Sequence, residues 1–97
     1  MSSITIDGFV IDEANEEEFA GHGLSAGRVT QVLERTFVVL RNRKGRRGLY
    51  LIVGRDRGGA YISTPIERTG TTGVWRPITA WPSKAGERTL LEKHEGH

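Results

Sequence analysis

The chain has 97 residues, 36% of them apolar, enough for one domain spanning 1–97 and too few for a second core. Fourteen Lys and Arg against twelve Asp and Glu leave a net charge of +2, and the absence of cysteine excludes disulfides and thiolate metal sites. No apolar run approaches the ~18 residues that span a bilayer, and the N-terminus lacks a basic region followed by an apolar one, so a cytoplasmic protein without a membrane partner is expected.

In chain order, Ile4, Ile6 and the apolar run 9–11, broken by Asp7-Gly8, predict a small strand or hairpin. Asp12 suits a helix N-cap, and Glu13, Glu16 and Glu17 then fall where the helix dipole favours negative charge. That short acidic helix closes at His22-Gly23 and has little to pack with except Phe19. Ser25 predicts the cap of a second helix reaching about Arg35, with Ala26, Val29, Val32 and Leu33 on one buried face. From Thr36 the pattern turns to strands. Two β-branched and aromatic runs, 37–40 and 49–53, form a hairpin, followed by a turn at 57–59, a strand over 60–67, a turn at 69–73 and a strand over 74–81. Pro65 and Pro77 lack a backbone donor and belong at bulges or on a free edge. Ser83 predicts the cap of a closing helix through Glu92, with Leu90 and Leu91 as its apolar contacts and a frayed end after Lys93. The expected architecture is α+β: two N-terminal helices, a mostly antiparallel four-stranded sheet and a C-terminal helix.

Charge is distributed unevenly. Residues 1–27 carry six acids and no Lys or Arg, whereas 28–57 carry nine bases against Glu34 and Asp56. The density peaks inside the predicted hairpin, where Arg41, Arg43, Lys44, Arg46 and Arg47 stand without an acid between them. Such a protrusion suits an RNA or DNA backbone, and it equally suits a charged tip that keeps a sheet soluble. Together with Arg55, these residues are the candidate RNA-binding set.

No cofactor or metal is implied. His22, His94 and His97 are too far apart to form a ligand motif, and Gly58-Gly59 has neither the spacing nor the following helix of a phosphate loop. Nucleophilic Ser or Thr chemistry lacks an adjacent base. What remains is phosphodiester cleavage through the RNA 2′-hydroxyl, which needs a proton acceptor, cations for the developing charge and an acid for the leaving oxygen. Arg76, Arg68, Arg57 and Arg55 come from three successive strands or their ends, with Glu67 beside Arg68 and His22 outside the tail, so a catalytic cluster of Arg76 and Arg68 with Glu67 or His22 on one sheet face is feasible; the alternative is that these arginines pair with Glu67 and Asp56 on the surface or lie along the sheet over apolar area. Trp75 and Trp81 lie six apart and in a regular strand would share a face, a parity that Pro77 between them can break; they serve either as core, as a stacking surface for an unpaired base or as an anchor for a partner protein.

These residues also carry a family resemblance. Asn15 followed by His22-Gly23-Leu24-Ser25 resembles a segment near the start of BrnT-type toxins; the run 47–54 is similar to their Arg-x-Tyr-Leu strand, Ile66-Glu67-Arg68 to a Thr-Glu-Arg strand end, and 76–80 to the strand before the closing helix. The chain departs from that pattern at Pro77 and at Trp81, where the family has a second Arg. The resemblance implies a RelE-like fold and a metal-independent endoribonuclease, the toxin of a type II toxin-antitoxin system, held in check by a small DNA-binding antitoxin. It points to Glu67, Arg68 and Arg76 as functional positions, and to His22. A non-catalytic module binding nucleic acid or a partner protein through the basic face is the alternative, and a homo-oligomer is compatible with either.

Overall fold

A computed structural model describes residues 4–96. Three layers form it. Helices α1 (Glu13–Ala20) and α2 (Ala26–Gln31), the latter continued by a 3-10 turn at Val32–Glu34, cover one face of a sheet, and α3 (Ala85–Glu95) covers part of the other. The sheet contains β1 (Gly8–Phe9), β2 (Val38–Arg41), β3 (Tyr50–Arg55), β4 (Tyr61–Arg68), β5 (Val74–Pro77) and β6 (Trp81–Pro82). Its order is β1-β5-β4-β3-β2, with β6 also on β4; β1 pairs parallel with β5 and every other pairing is antiparallel.

The sheet thus has six strands where the sequence predicts four, because the small strand expected before Asp12 joins the sheet and because the expected last strand is divided. Asp7-Gly8 makes no hairpin turn. The Asp7 and Gly8 amides instead donate to Gly73 O, which lays Gly8–Phe9 along β5 as a two-residue edge strand. A pairing so short and so distant in sequence has no local periodicity to announce it. The expected last strand is divided by a bulge: Pro77 faces Ile66 and Trp81 faces Ser63, so residues 78–80 stand opposite only Pro65 and Thr64. Ile78 N–H donates to Pro65 O at 2.9 Å, so Pro65 turns its donor-less nitrogen toward that irregularity, and Pro77 ends β5 beside it.

Local chemistry fixes the helix ends. Asp12 Oδ1 accepts from Asn15 N at 2.8 Å while Asn15 Oδ1 accepts from Asp12 N at 2.9 Å, a reciprocal cap. Buried Asn15 also donates to Val10 O, so both its amide oxygen and its amide nitrogen have partners inside the protein. Helix α1 leaves through Gly23 at φ 75°, with Leu24 N–H returning to Phe19 O. Ser25 caps α2 as expected. Ser83 does not cap α3: its hydroxyl bonds Ser63, and Glu87 Oε1 accepts from Lys84 N at 2.9 Å instead. The helix continues to Glu95, past the expected fraying point.

Strand alternation sorts the core. Ile52, Ile62, Ile66 and Trp75 face Phe19, Val29 and Val32 beneath α1 and α2. On the opposite side, Ser63 and Tyr61 are hydrogen-bonded to Glu87 and Glu92 of α3. The helix layer sits close at Gly54, where a Cβ would lie 2.9 Å from Val32 Cβ, so glycine there is a requirement of packing. Among the described residues, no helix is long and apolar enough to cross a membrane.

Candidate functional site: a cationic groove and a Glu–Arg pair

The basic loop 42–49 joins β2 to β3, whose register runs from Val38 opposite Val53 to Arg41 opposite Tyr50. Its base is fastened: Asn42 N–H donates to Leu49 O at 3.0 Å, the Asn42 side-chain amide donates to Arg47 O, and Gly48, at φ 86°, packs where a Cβ would meet Pro65 Cβ at 3.0 Å. The tip stays in water. Arg43, Lys44, Arg46 and Arg47 are exposed. Arg47 lies 3.7 Å from Glu18, a pair too open and solvated to restrain it.

Between this loop and α3 runs a groove of about 870 Å³. Leu51, Pro65 and Thr79 floor it, Trp81 and Leu90 stand on the α3 side, and Arg43, Arg46, Arg47 and Lys84 rim it. Neither Arg43, Arg46 nor Lys84 has an ion-pair partner among the described residues, so their charge is available to an anion.

Two residues along β4 from Pro65, on the same face, lies Glu67. It is directly opposite Arg76 of β5, and Arg76 Nη1 donates to Glu67 Oε2 at 3.1 Å. From the other side Asp12 takes the guanidinium with both oxygens, Nε to Oδ2 at 2.7 Å and Nη2 to Oδ1 at 3.1 Å. Three of the five guanidinium N–H groups are then engaged and two remain. Hydrogen bonding to Asp12, and then to Glu67, raises the Arg76 pKa further, so this group stabilises charge and does not donate a proton.

The Arg76 hydrogen bonds, followed by the Asn15 N–H, hold the Asp12 carboxyl below its ordinary value of 3.8. A carboxylate whose folded pKa is depressed adds stability that is complete above the unfolded value and disappears as pH falls through the folded one. In thermal melts from pH 7 to pH 2, the wild type will lose stability below about pH 4 more steeply than Asp12→Asn, which lacks this titration. Parallel acid limbs would remove the clamp from the stability of the fold.

The predicted catalytic face assembles only in part. Glu67 and Arg76 come together. Arg68 projects from the opposite face, with its guanidinium 5.4 Å from the centre of the Trp75 ring, and Arg55 is engaged by Glu95 at 2.7 Å and Tyr61 OH at 2.7 Å under α3. The expected convergence of Arg55, Arg68 and Arg76 on one anion is therefore not formed, because alternation along β4 turns Arg68 away from Glu67. His22 is exposed just beyond the C-terminal end of α1, and the helix, about 12 Å long by its rise, separates it from the end where Asp12 meets Arg76. Arg41 is exposed at the end of β2, 5.6 Å from the Tyr50 ring centre, and Arg57 is held bidentately by Glu34. Among the described residues, no cluster of His, Asp or Glu is arranged to hold a metal; His97 lies outside them.

Leu51, Pro65 and Lys84 as groove residues, and Asp12 as the partner of Arg76, are absent from the sequence reading. Leu90, the one exposed large apolar side chain of α3, was the available hint. The Asp12 contact spans 64 residues and has no local signal. These elements define an α+β domain with a cationic groove beside a cross-strand Glu–Arg pair. Comparison with family models, with curated proteins and with solved structures finds no match.

Proposed function

We propose that this domain is a RelE-like, BrnT-type toxin that acts on RNA as a metal-independent endoribonuclease. The observation that carries the reading is the groove: a row of uncompensated Arg and Lys side chains leads, along one sheet face, toward a carboxylate bonded to a guanidinium. The order of two N-terminal helices, an antiparallel meander and a closing helix supports it as well. Glu67, whose side chain is 47% exposed, is placed to take the proton of a 2′-hydroxyl. Arg76 offers its two remaining N–H groups to the phosphate oxygens, and Asp12 fixes its plane. The 2′-oxygen attacks phosphorus, the bond to the 5′-oxygen breaks, and that oxygen leaves with a proton from solvent water, giving a 2′,3′-cyclic phosphate while Glu67 returns its proton to solvent; Arg68, Arg55 and His22 have no part in that step. The partner such a toxin takes is a small DNA-binding antitoxin.

Purified protein will cleave RNA in the presence of EDTA, and Arg76→Ala will slow cleavage by about 10²–10³-fold while RNA affinity is retained. An unaltered rate would remove Arg76 from the mechanism. Two observations favour a second reading, a non-catalytic RNA-binding module: among the described residues no side chain beyond Asp12 and Glu67 is hydrogen-bonded to Arg76, and Trp81 replaces the second cation of the family pattern. Tight RNA binding by the wild type with no cleavage and no growth arrest on expression would select it.

A further inference from the structure

We propose that the groove between the 42–49 loop and α3 holds single-stranded RNA, seating one unpaired base against Trp81 and Leu90 while the flanking phosphates lie on Arg43, Arg46, Arg47 and Lys84. This rests on the RNA reading above and adds to it a base-binding subsite apart from the Glu67–Arg76 pair. Four features carry it. Trp81 is held in one orientation before any ligand arrives: its indole N–H donates to Glu87 Oε1 at 3.0 Å, and the same oxygen is fixed by Ser63 Oγ at 2.8 Å and Lys84 N at 2.9 Å. An aromatic ring fixed in advance loses little entropy when a planar ligand stacks on it. Trp81 is only partly buried and Leu90 is 43% exposed, so apolar surface is left uncovered in the middle of a charged rim.

The floor supplies a further sign. Thr79 is 8% exposed, and its Oγ1 is one of two buried side-chain polar atoms without a hydrogen-bond partner among the described residues. Such an atom is costly while unpartnered, and because it has no accessible surface of its own a base completes it only when the Thr79 side chain turns to another rotamer and presents the hydroxyl to the groove. Charge selects the class of ligand. Three guanidinium groups and an ammonium match successive phosphates, and stacking on one aromatic ring requires a base whose face is free, which a duplex does not offer. An acidic protein segment would use the cations but would leave the indole and the Thr79 hydroxyl without matching groups.

Binding is read by anisotropy with a short labelled single-stranded RNA, the same RNA annealed to its complement, heparin and poly-glutamate. The single strand will bind more tightly than the duplex. Trp81→Ala will weaken it roughly tenfold or more, Trp81→Phe will retain most of the affinity, and heparin binding will not respond to either. Thr79→Val, nearly isosteric, will weaken the single strand without lowering the melting temperature. Because Trp81→Ala also frees Glu87, Leu90→Ser provides a second test on an exposed position, and it will weaken the single strand as well. Unchanged RNA affinity in Trp81→Ala, Leu90→Ser and Thr79→Val would overturn the base seat and leave RNA contact by the loop standing. Failure of the wild type to bind or cleave RNA would overturn both. Tight poly-glutamate binding that depends on Trp81, without RNA binding, would assign the groove to an acidic protein and overturn the proposal.

Discussion

Replacing Arg43, Arg46 and Arg47 together by alanine will flatten the salt dependence of single-stranded RNA binding by about two units in the slope of log K against log salt. Each phosphate contact contributes about 0.7 to that slope for single strands, so three lost contacts give roughly 2. Scaled from 1 M to 0.15 M salt, the same three contacts are worth about 50-fold in affinity. All three side chains are exposed, so stability will move by no more than about 0.5 kcal/mol, and a loss of binding cannot be attributed to unfolding. Anisotropy titrations across salt concentrations measure the slope directly. A triple variant with the wild-type slope would show that RNA passes elsewhere, and the loop would then be a solvated tip.

The largest effect on stability will come from Phe19→Ala. Phe19 is fully buried and is the only apolar residue that α1 commits to the interior; the other buried side chain of that helix is Asn15. Truncating a buried Phe costs about 3–5 kcal/mol, against about 5–15 kcal/mol for the whole stability of a small domain. At about 4–8 °C per kcal/mol, the melting temperature will fall by at least about 12 °C. The consequence reaches the site. Asp12 caps α1 and holds Arg76, so a loosened α1 releases the guanidinium from one of its two carboxylates. Circular dichroism melts measure the first effect. A fall of only a few degrees would show that α1 is anchored chiefly by its cap and the Arg76 clamp.

What the sequence made legible was local. The Asp12 and Ser25 caps, Phe19 as the packing residue of α1, the β2–β3 hairpin and its basic loop each rest on signals within a few residues of one another. The same holds for Pro65 and Pro77, whose missing donors do coincide with an irregular ladder. Contacts closed by the fold were not legible. Neither the Asp12–Arg76 clamp nor the pairing of β1 with β5 leaves any trace in spacing, since each joins segments more than sixty residues apart. Alternation separates Arg68 from the site: adjacency to Glu67 in sequence places the two side chains on opposite faces of a strand, not together. Arg55 stands out in the sequence by its charge and strand-end position, whereas its carboxylate partner Glu95 comes from the last turn of α3, forty residues on.

One extra residue in a ladder decides what this protein shows to the outside. Had the pairing with β4 run unbroken past Pro77, Trp81 would stand opposite Ile62 and its indole would be packed away with that of Trp75. The supernumerary position among 78–80 separates the two rings, giving one to the interior and the other to the solvent boundary. An aromatic surface beside the positive charges therefore depends on an inserted length of chain, and no tally of residue types would reveal it.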